Sequence, residues 1–206
     1  MSIKRAAELV LLFVLLPISL CLNFYVAIKM GLVLIGCIYV ALILKKDGLL
    51  RVTWSTFNII LDFLKQIIGR FLLIVLVSTL YVHFLYPEKL FIVVVNKPWL
   101  WATILIVYTL FSVVPQELIY RTFFFARYEK FFQNKYLFIL VSAIIFSLAH
   151  LFFLNPLVQL LTFIGGLLFA YTYHNTRSTF LVSLEHAIYG NWLFTVGLGE
   201  MLAFPG

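Results

Sequence analysis

The sequence predicts an all-α membrane protein, a polytopic bundle of about seven transmembrane helices. Three observations predict it. Hydrophobic residues make up 64% of the 206 and charged residues only 11%, which is more apolar surface than a soluble domain of this size can bury, so lipid must cover it. The apolar residues fall in runs close to the roughly 20 needed to span a bilayer. The lysines and arginines gather in the short connections between those runs.

The first run, about Glu8–Val26, follows Lys4 and Arg5. It resembles the start of a signal peptide, but no small-x-small cleavage site follows, so it reads as a retained span. Pro17 should kink it, which a membrane helix tolerates when neighbours satisfy the freed carbonyl. A tight turn near Asn23–Lys29 leads to the second span, about Ala27–Leu44. Lys45–Arg51 is a charged loop. From Val52 to Arg70, Trp54, Phe57, Leu61, Leu64 and Ile68 recur at helical spacing, with Asn58, Asp62, Lys65 and Gln66 largely opposite. That pattern predicts an amphipathic helix lying in the interface.

Span three is about Phe71–Tyr86, and Pro87–Lys97 is a loop. Span four starts at Trp99 and runs through Pro115 to about Phe125. A polar connection, Ala126–Lys135, leads to span five, about Tyr136–Phe153, which Asn155-Pro156 ends. Span six, about Leu157–Tyr173, carries Gly165, Gly166 and Ala170, small residues that let helix backbones approach closely. After a turn at His174–Ser178, span seven is about Thr179–Leu198. Residues 1–98 thus hold the N-terminal spans and the interfacial helix. Residues 99–206 hold the chemistry, within one integral membrane domain.

The loop charges orient the bundle. Lys4, Arg5, Lys45, Lys46, Arg51, Arg127, Lys130, Lys135 and Arg177 share one side, and the opposite loops are close to balanced. The positive-inside rule makes the N-terminus cytoplasmic and accounts for the net charge of +7 without nucleic acid, for which no groove remains outside the bilayer. Cys21 and Cys37 lie in apolar runs and form no C-x-x-C pair, so they read as buried small hydrophobes.

Against this background four polar residues stand out: Glu117, Arg121, His150 and His186. A charge taken into hydrocarbon costs about 2.5–3.5 kcal/mol on insertion scales, so such residues are functional candidates by default. Glu117 stands ten residues before Arg127, about 15 Å along a helix. His150 lies fifteen residues after Lys135, about 22 Å, and His186 nine after Arg177, about 13 Å. Three polar groups on three helices at comparable depths suggest one shared site. A carboxylate and imidazoles around one water are a hydrolase arrangement: the carboxylate takes the proton, and the histidines orient the water or stabilise the oxyanion. Arg121, one turn after Glu117, is placed to pair with it.

These residues sit in motifs that carry a resemblance. Gln116-Glu117-Leu118-Ile119-Tyr120-Arg121 resembles the first signature, E-E-x-x-x-R, of the CPBP family, which includes the type II CAAX prenyl endopeptidases. Phe146-Ser147-Leu148-Ala149-His150 matches the second, F-x-x-x-H. His186-Ala187-Ile188-Tyr189-Gly190-Asn191 is similar to the third, H-x-x-x-N. The resemblance covers about Trp99 to Gly199, so residues 99–206 would be the catalytic core. It implies an intramembrane endopeptidase with a glutamate-activated water, acting on a membrane-embedded or lipid-anchored peptide. It also implies that His150 holds the water and that His186 and the following Asn form the oxyanion side. No cofactor is expected, and the only partners are membrane lipid and the peptide substrate. A bacterial inner membrane is the expected location.

Two residues depart from the family pattern. Gln116 replaces the first Glu, usually assigned as the base, and an amide cannot accept the proton. Glu117 is then the only carboxylate of the motif, with Gln116 in support. Gly190 stands where the family has Asn, and Asn191 comes one residue late. One residue turns a helix by about 100°, so Asn191 reaches the same site only with a local bulge. The family is usually drawn with eight spans, one more than the seven read here.

Other readings remain open. Glu117 and Arg121 could form only an interfacial salt bridge. His150 and His186 could be satisfied interhelical residues, with Glu185, on another part of the helix face, serving a different neighbour. Zinc held by Glu117, His150 and His186 is the metal variant, although no H-E-x-x-H occurs. At the level of the whole protein, the alternatives are a catalytically degenerate membrane scaffold or immunity protein, which Gln116 favours, and a small proton-coupled transporter, which the lack of an inverted hydropathy repeat weakens.

Overall fold

The computed structural model describes residues 1–50 and 57–202. Among these no strand occurs, and the chain is a succession of helices: α1 (residues 3–21), α2 (Val26–Lys46), α3 (Phe57–Leu85), a short α4 (Ile92–Asn96), α5 (Pro98–Phe131), α6 (Lys135–Leu148), α7 (Pro156–Thr176) and α8 (Thr179–Val196). Five of them are long and apolar enough to cross a membrane: α2, α3, α5, a helical stretch Lys135–Phe153 that contains α6, and α7. The protein is therefore an integral membrane protein with a polytopic helical fold. The other two of the seven expected spans correspond to α1 and α8. Lys4, Arg5 and Glu8 lower the hydropathy of the first, and Glu185, His186 and Asn191 that of the second.

One expectation is corrected. The amphipathic segment and span three are not separate elements, because Phe57–Leu85 is one helix of 29 residues. Nothing in between stops it. Gly69 alone costs a helix only about 1 kcal/mol relative to alanine, and Arg70 is tied back one turn by a hydrogen bond to Gln66 at 3.3 Å. The first part of the predicted segment, residues 52–56, lies outside the described residues.

Helical structure continues through Pro17 and Pro115. Pro17 and Pro115 each follow a π-helical turn, Leu11–Leu15 and Thr109–Val113. A proline has no N–H to donate, and its ring crowds the carbonyl four residues back, here Phe13 and Phe111. The wider turn relieves that crowding and lets the helix continue. A second π turn in α5, Leu118–Phe123, follows Glu117 directly.

The helices divide into two compact units, each discontinuous in sequence. The first is Met1–Val52 with Glu117–Tyr171, hence α1, α2, the later part of α5, α6 and most of α7. Its core is aromatic: Phe13 meets the rings of Tyr120, Phe124 and Tyr128 edge-on, and Phe138 stacks on Phe124. Gly166 of α7 lies against Ala143 of α6 so closely that a β-carbon there would sit 2.9 Å from the Ala143 Cα. This is the close backbone approach the small residues of span six predicted. A carboxylate the motifs do not involve, Glu8, collects the Arg127 guanidinium and the hydroxyls of Tyr39 (2.6 Å) and Tyr128 (2.7 Å).

The second unit is Thr53–Gln116 with Thr172–Gly206, hence α3, α4, the first part of α5, the end of α7 and α8. Val93, Ile104, Tyr108, Val113, Ala187 and Phe194 form one of its cores. Indole donors stitch its helices: Trp192 Nε1 to Ser78 Oγ at 2.9 Å, and Trp101 Nε1 to Thr195 Oγ1 at 3.0 Å.

Candidate functional site

Glu117, Arg121 and His150 belong to the first unit, and Gln116, His186 and Asn191 to the second. Helix α5 runs through both, and the division falls between Gln116 and Glu117, at the end of the four-residue α-helical stretch between its two π turns. π turns recur at functional sites because the inserted residue re-aims the side chains that follow.

In the first unit the two motifs interlock. Glu117 and Arg121 are both fully buried, with Nε of the guanidinium 3.3 Å from Oε2 of the carboxylate. Arg121 also donates to Ser142 Oγ at 3.2 Å and to the Tyr120 carbonyl at 3.1 Å. Its guanidinium lies 4.8 Å from the centre of the Phe146 ring, close enough for a cation–π attraction that burial strengthens. Phe146 then reaches His150 in a second way. Its carbonyl oxygen is 2.8 Å from His150 Nδ1. A carbonyl only accepts, so the proton is on Nδ1, and Nε2 of the neutral ring is an acceptor. The spacing of four in each motif has a physical content here: one turn of helix puts Arg121 on Glu117, and one turn puts the His150 ring on the Phe146 carbonyl. His150 itself sits just past the end of α6 with φ −100° and ψ 6°, where the α-helix gives way to a 3₁₀ turn, Leu151–Phe153.

In the second unit His186 is buried on α8, with the ring of Tyr108 edge-on at 6.0 Å between centres. Helix α8 is α-helical throughout Thr179–Val196, so there is no bulge to bring Asn191 round to the face of His186. Asn191 instead donates through Nδ2 to Thr109 Oγ1 at 3.2 Å. At Gly190, one turn after His186, the place of a side chain is taken by the Tyr108 ring and hydroxyl. Gln116 donates through Nε2 to Ser112 Oγ at 2.9 Å, and its Oε1 is buried with no hydrogen-bond partner among the described residues.

Glu185, beside His186, serves a different neighbour. It is fully buried and paired with Arg70 of α3 at 2.9 Å, and it accepts from Tyr189 Oη at 3.0 Å. Arg70 also donates to Thr172 Oγ1 at 3.2 Å. Sequence reasoning missed Arg70, Thr172 and Tyr108. The one available signal was Arg70 itself, a lone cation ahead of a long apolar run. A cavity of about 190 Å³ lies nearby in the same unit, with Asp62, Gln66, Thr172, Asn175 and Thr176 among its walls. It is lined by none of the motif residues. Among the described residues no three His, Cys, Asp or Glu side chains are grouped as metal ligands.

Residues 98–192 match the family model described as type II CAAX prenyl endopeptidase Rce1-like. That segment carries all three motifs and is similar to that family over this stretch of the chain. No curated protein and no solved structure matches.

Proposed function

We propose that this protein is an intramembrane endopeptidase that hydrolyses a peptide bond in a membrane-embedded or lipid-anchored protein or peptide, with Glu117 as the base. The observation that carries the reading is the buried run Glu117, Arg121, Phe146, His150. A carboxylate and a guanidinium are expensive to bury, and here they are locked to a histidine whose tautomer is set. In the proposed reaction the Glu117 carboxylate takes a proton from water as the water oxygen bonds to the carbonyl carbon. His150 accepts a hydrogen bond from that water through Nε2. The attack leaves a tetrahedral oxyanion. The C–N bond then breaks, and the proton passes from Glu117 to the leaving amine. The N-terminus is proposed to be cytoplasmic, in a bacterial inner membrane, and no cofactor is called for.

The test is turnover by purified full-length protein in phosphatidylethanolamine–phosphatidylglycerol vesicles. The probes are fluorescence-quenched peptides, one anchored through a lipidated cysteine and one a bare hydrophobic span. Glu117→Gln should abolish turnover, and because it leaves the buried Arg121 guanidinium without its carboxylate, its turnover is read below its own unfolding temperature, beside Arg121→Met as the control for a broken pair. Gln116→Ala should be milder. Full turnover by Glu117→Gln eliminates the assignment.

A second reading has its own support. Glu117 and Arg121 are mutually committed and fully buried, and Gln116 holds the family's first carboxylate position. Both facts suit a CPBP-type membrane scaffold without peptidase chemistry. Turnover gained only in Gln116→Glu would favour it.

A further inference from the structure

We propose that the polar cavity of the second unit is a binding site for a zwitterionic lipid headgroup with a primary ammonium, phosphatidylethanolamine being the membrane lipid of that chemistry. The site does not depend on peptidase activity. Its depth follows from the length of α3. That helix has 29 residues, Phe57–Leu85, and about 20 suffice to cross the hydrocarbon. Counted back from Leu85, where the chain turns polar at Pro87-Glu88-Lys89, the crossing is complete near Gln66. The α3 residues of the cavity wall, Ile59, Asp62, Phe63 and Gln66, therefore stand at headgroup level. The wall from α7, Thr172, Asn175 and Thr176, belongs to the last two turns of that helix, where a span of 21 residues also reaches its interface.

Among the described residues of the wall, Asp62 carries the one charge, a carboxylate. Thr176 adds an acceptor. Its hydroxyl hydrogen goes to the Thr172 carbonyl at 2.8 Å and one lone pair takes the Ser178 N–H at 3.3 Å, which leaves one lone pair for a ligand. A negative group with a neutral acceptor selects a hydrogen-bonding cation. The volume, about 190 Å³, is several times the roughly 30 Å³ of a water. That suits an aminoethyl group and is too small for a length of peptide. Ile59 and Phe63 give its methylenes an apolar wall. Lys65 completes the match to a zwitterion. It lies one turn from Asp62, 3.9 Å away, with the two side chains 77% and 71% exposed. Such an exposed pair is worth little, so it can open to a lipid, with Asp62 taking the ammonium and Lys65 the phosphodiester. Gln66 gives its Oε1 to Arg70, which leaves its amide NH2 as a second donor to phosphate oxygens. Phosphatidylglycerol has no cation for Asp62, and the trimethylammonium of phosphatidylcholine has no N–H to donate.

The experiment counts lipid bound to the purified full-length protein in detergent micelles by native mass spectrometry. The probes are phosphatidylethanolamine, phosphatidylcholine and phosphatidylglycerol with identical acyl chains, and free phosphoethanolamine. Phosphatidylethanolamine should bind about 10-fold more tightly than the other two lipids, the worth of one hydrogen bond to a charged group. Asp62→Asn, an exposed and nearly isosteric change, should erase that preference with thermal unfolding unchanged. Lys65→Gln should weaken phosphatidylethanolamine about threefold. Glu88→Gln, which removes a carboxylate outside the cavity, should leave the preference intact. Equal binding of the three lipids overturns the proposal. So does a preference that survives Asp62→Asn, since the lipid is then held elsewhere. Free phosphoethanolamine that displaces the lipid at equal concentration overturns the membrane lipid as the occupant. The readout is binding, so a protein without turnover in the vesicle assay would still give each of these results.

Discussion

Among the described residues each unit contains a fully buried carboxylate paired with an arginine, Glu117 with Arg121 and Glu185 with Arg70, and the two pairs are built on different principles. Glu117 and Arg121 are four residues apart on one helix, both fully buried, with the guanidinium further held by Ser142 and the Phe146 ring. Arg70 and Glu185 are 115 residues apart, on α3 and α8, and the Arg70 side chain keeps 23% of its exposure. The first pair is dry and local. The second is long-range and reaches the edge of its unit, beside a polar cavity. A dry pair is the costlier to break, because neither charge has water to fall back on. The comparison therefore separates two uses of buried charge: one fixes a side chain within a helix, and the other fastens two helices together.

Arg121→Met should break the comparison hardest. It strands the Glu117 carboxylate, and the loss should be about 3–5 kcal/mol, read as thermal unfolding in detergent micelles. Removing both charges with Glu117→Met should recover most of it, since a well-packed apolar pair avoids the desolvation cost. Unfolding of Arg121→Met at the wild-type temperature would mean that the pair is not dry.

Arg70→Met should cost less, about 1–3 kcal/mol. Glu185 retains the Tyr189 hydroxyl, and the site is open enough for water to replace the guanidinium. A loss larger than that of Arg121→Met would reverse the ranking.

The smallest effect belongs to Lys89 and Glu200, an ion pair at the surface of the second unit. The hydrogen bond to Glu200 raises the Lys89 ammonium above the ordinary lysine value of 10.5. A raised lysine contributes stability that is fully present below its unfolded value and is lost as the pH rises through the folded one. Lys89→Met should therefore change stability by at most about 0.5 kcal/mol at neutral pH, and the difference should vanish in strong alkali or high salt. A loss above 1 kcal/mol would show that the pair is shielded from solvent.

Much of the fold was legible because hydrophobic runs and loop charges act locally. The turns after α2, at Asn155-Pro156 and before α8 fall where the composition changes. The boundary expected between the amphipathic helix and span three was not there, because periodicity reports which face is polar and says nothing about where a helix stops. Of the site, the pairing of Glu117 with Arg121 was readable from its spacing of four. The tautomer of His150 was not, because it depends on a carbonyl whose position is set by where α6 ends.

The sequence by itself determined that the chain is a membrane-spanning helical protein, which helices carry its polar motifs, and that Gln116 and Gly190 break them. These follow from composition, from one-turn spacings and from residue identity, all of which act over a few residues. Only the tertiary structure decided that Arg70 is the partner of Glu185, that Asn191 bonds to Thr109, and that Tyr108 fills the space above Gly190. Those contacts join residues about 80 to 115 positions apart. No local preference encodes them, because they exist only once whole helices have packed and each side chain has taken the volume its neighbours leave.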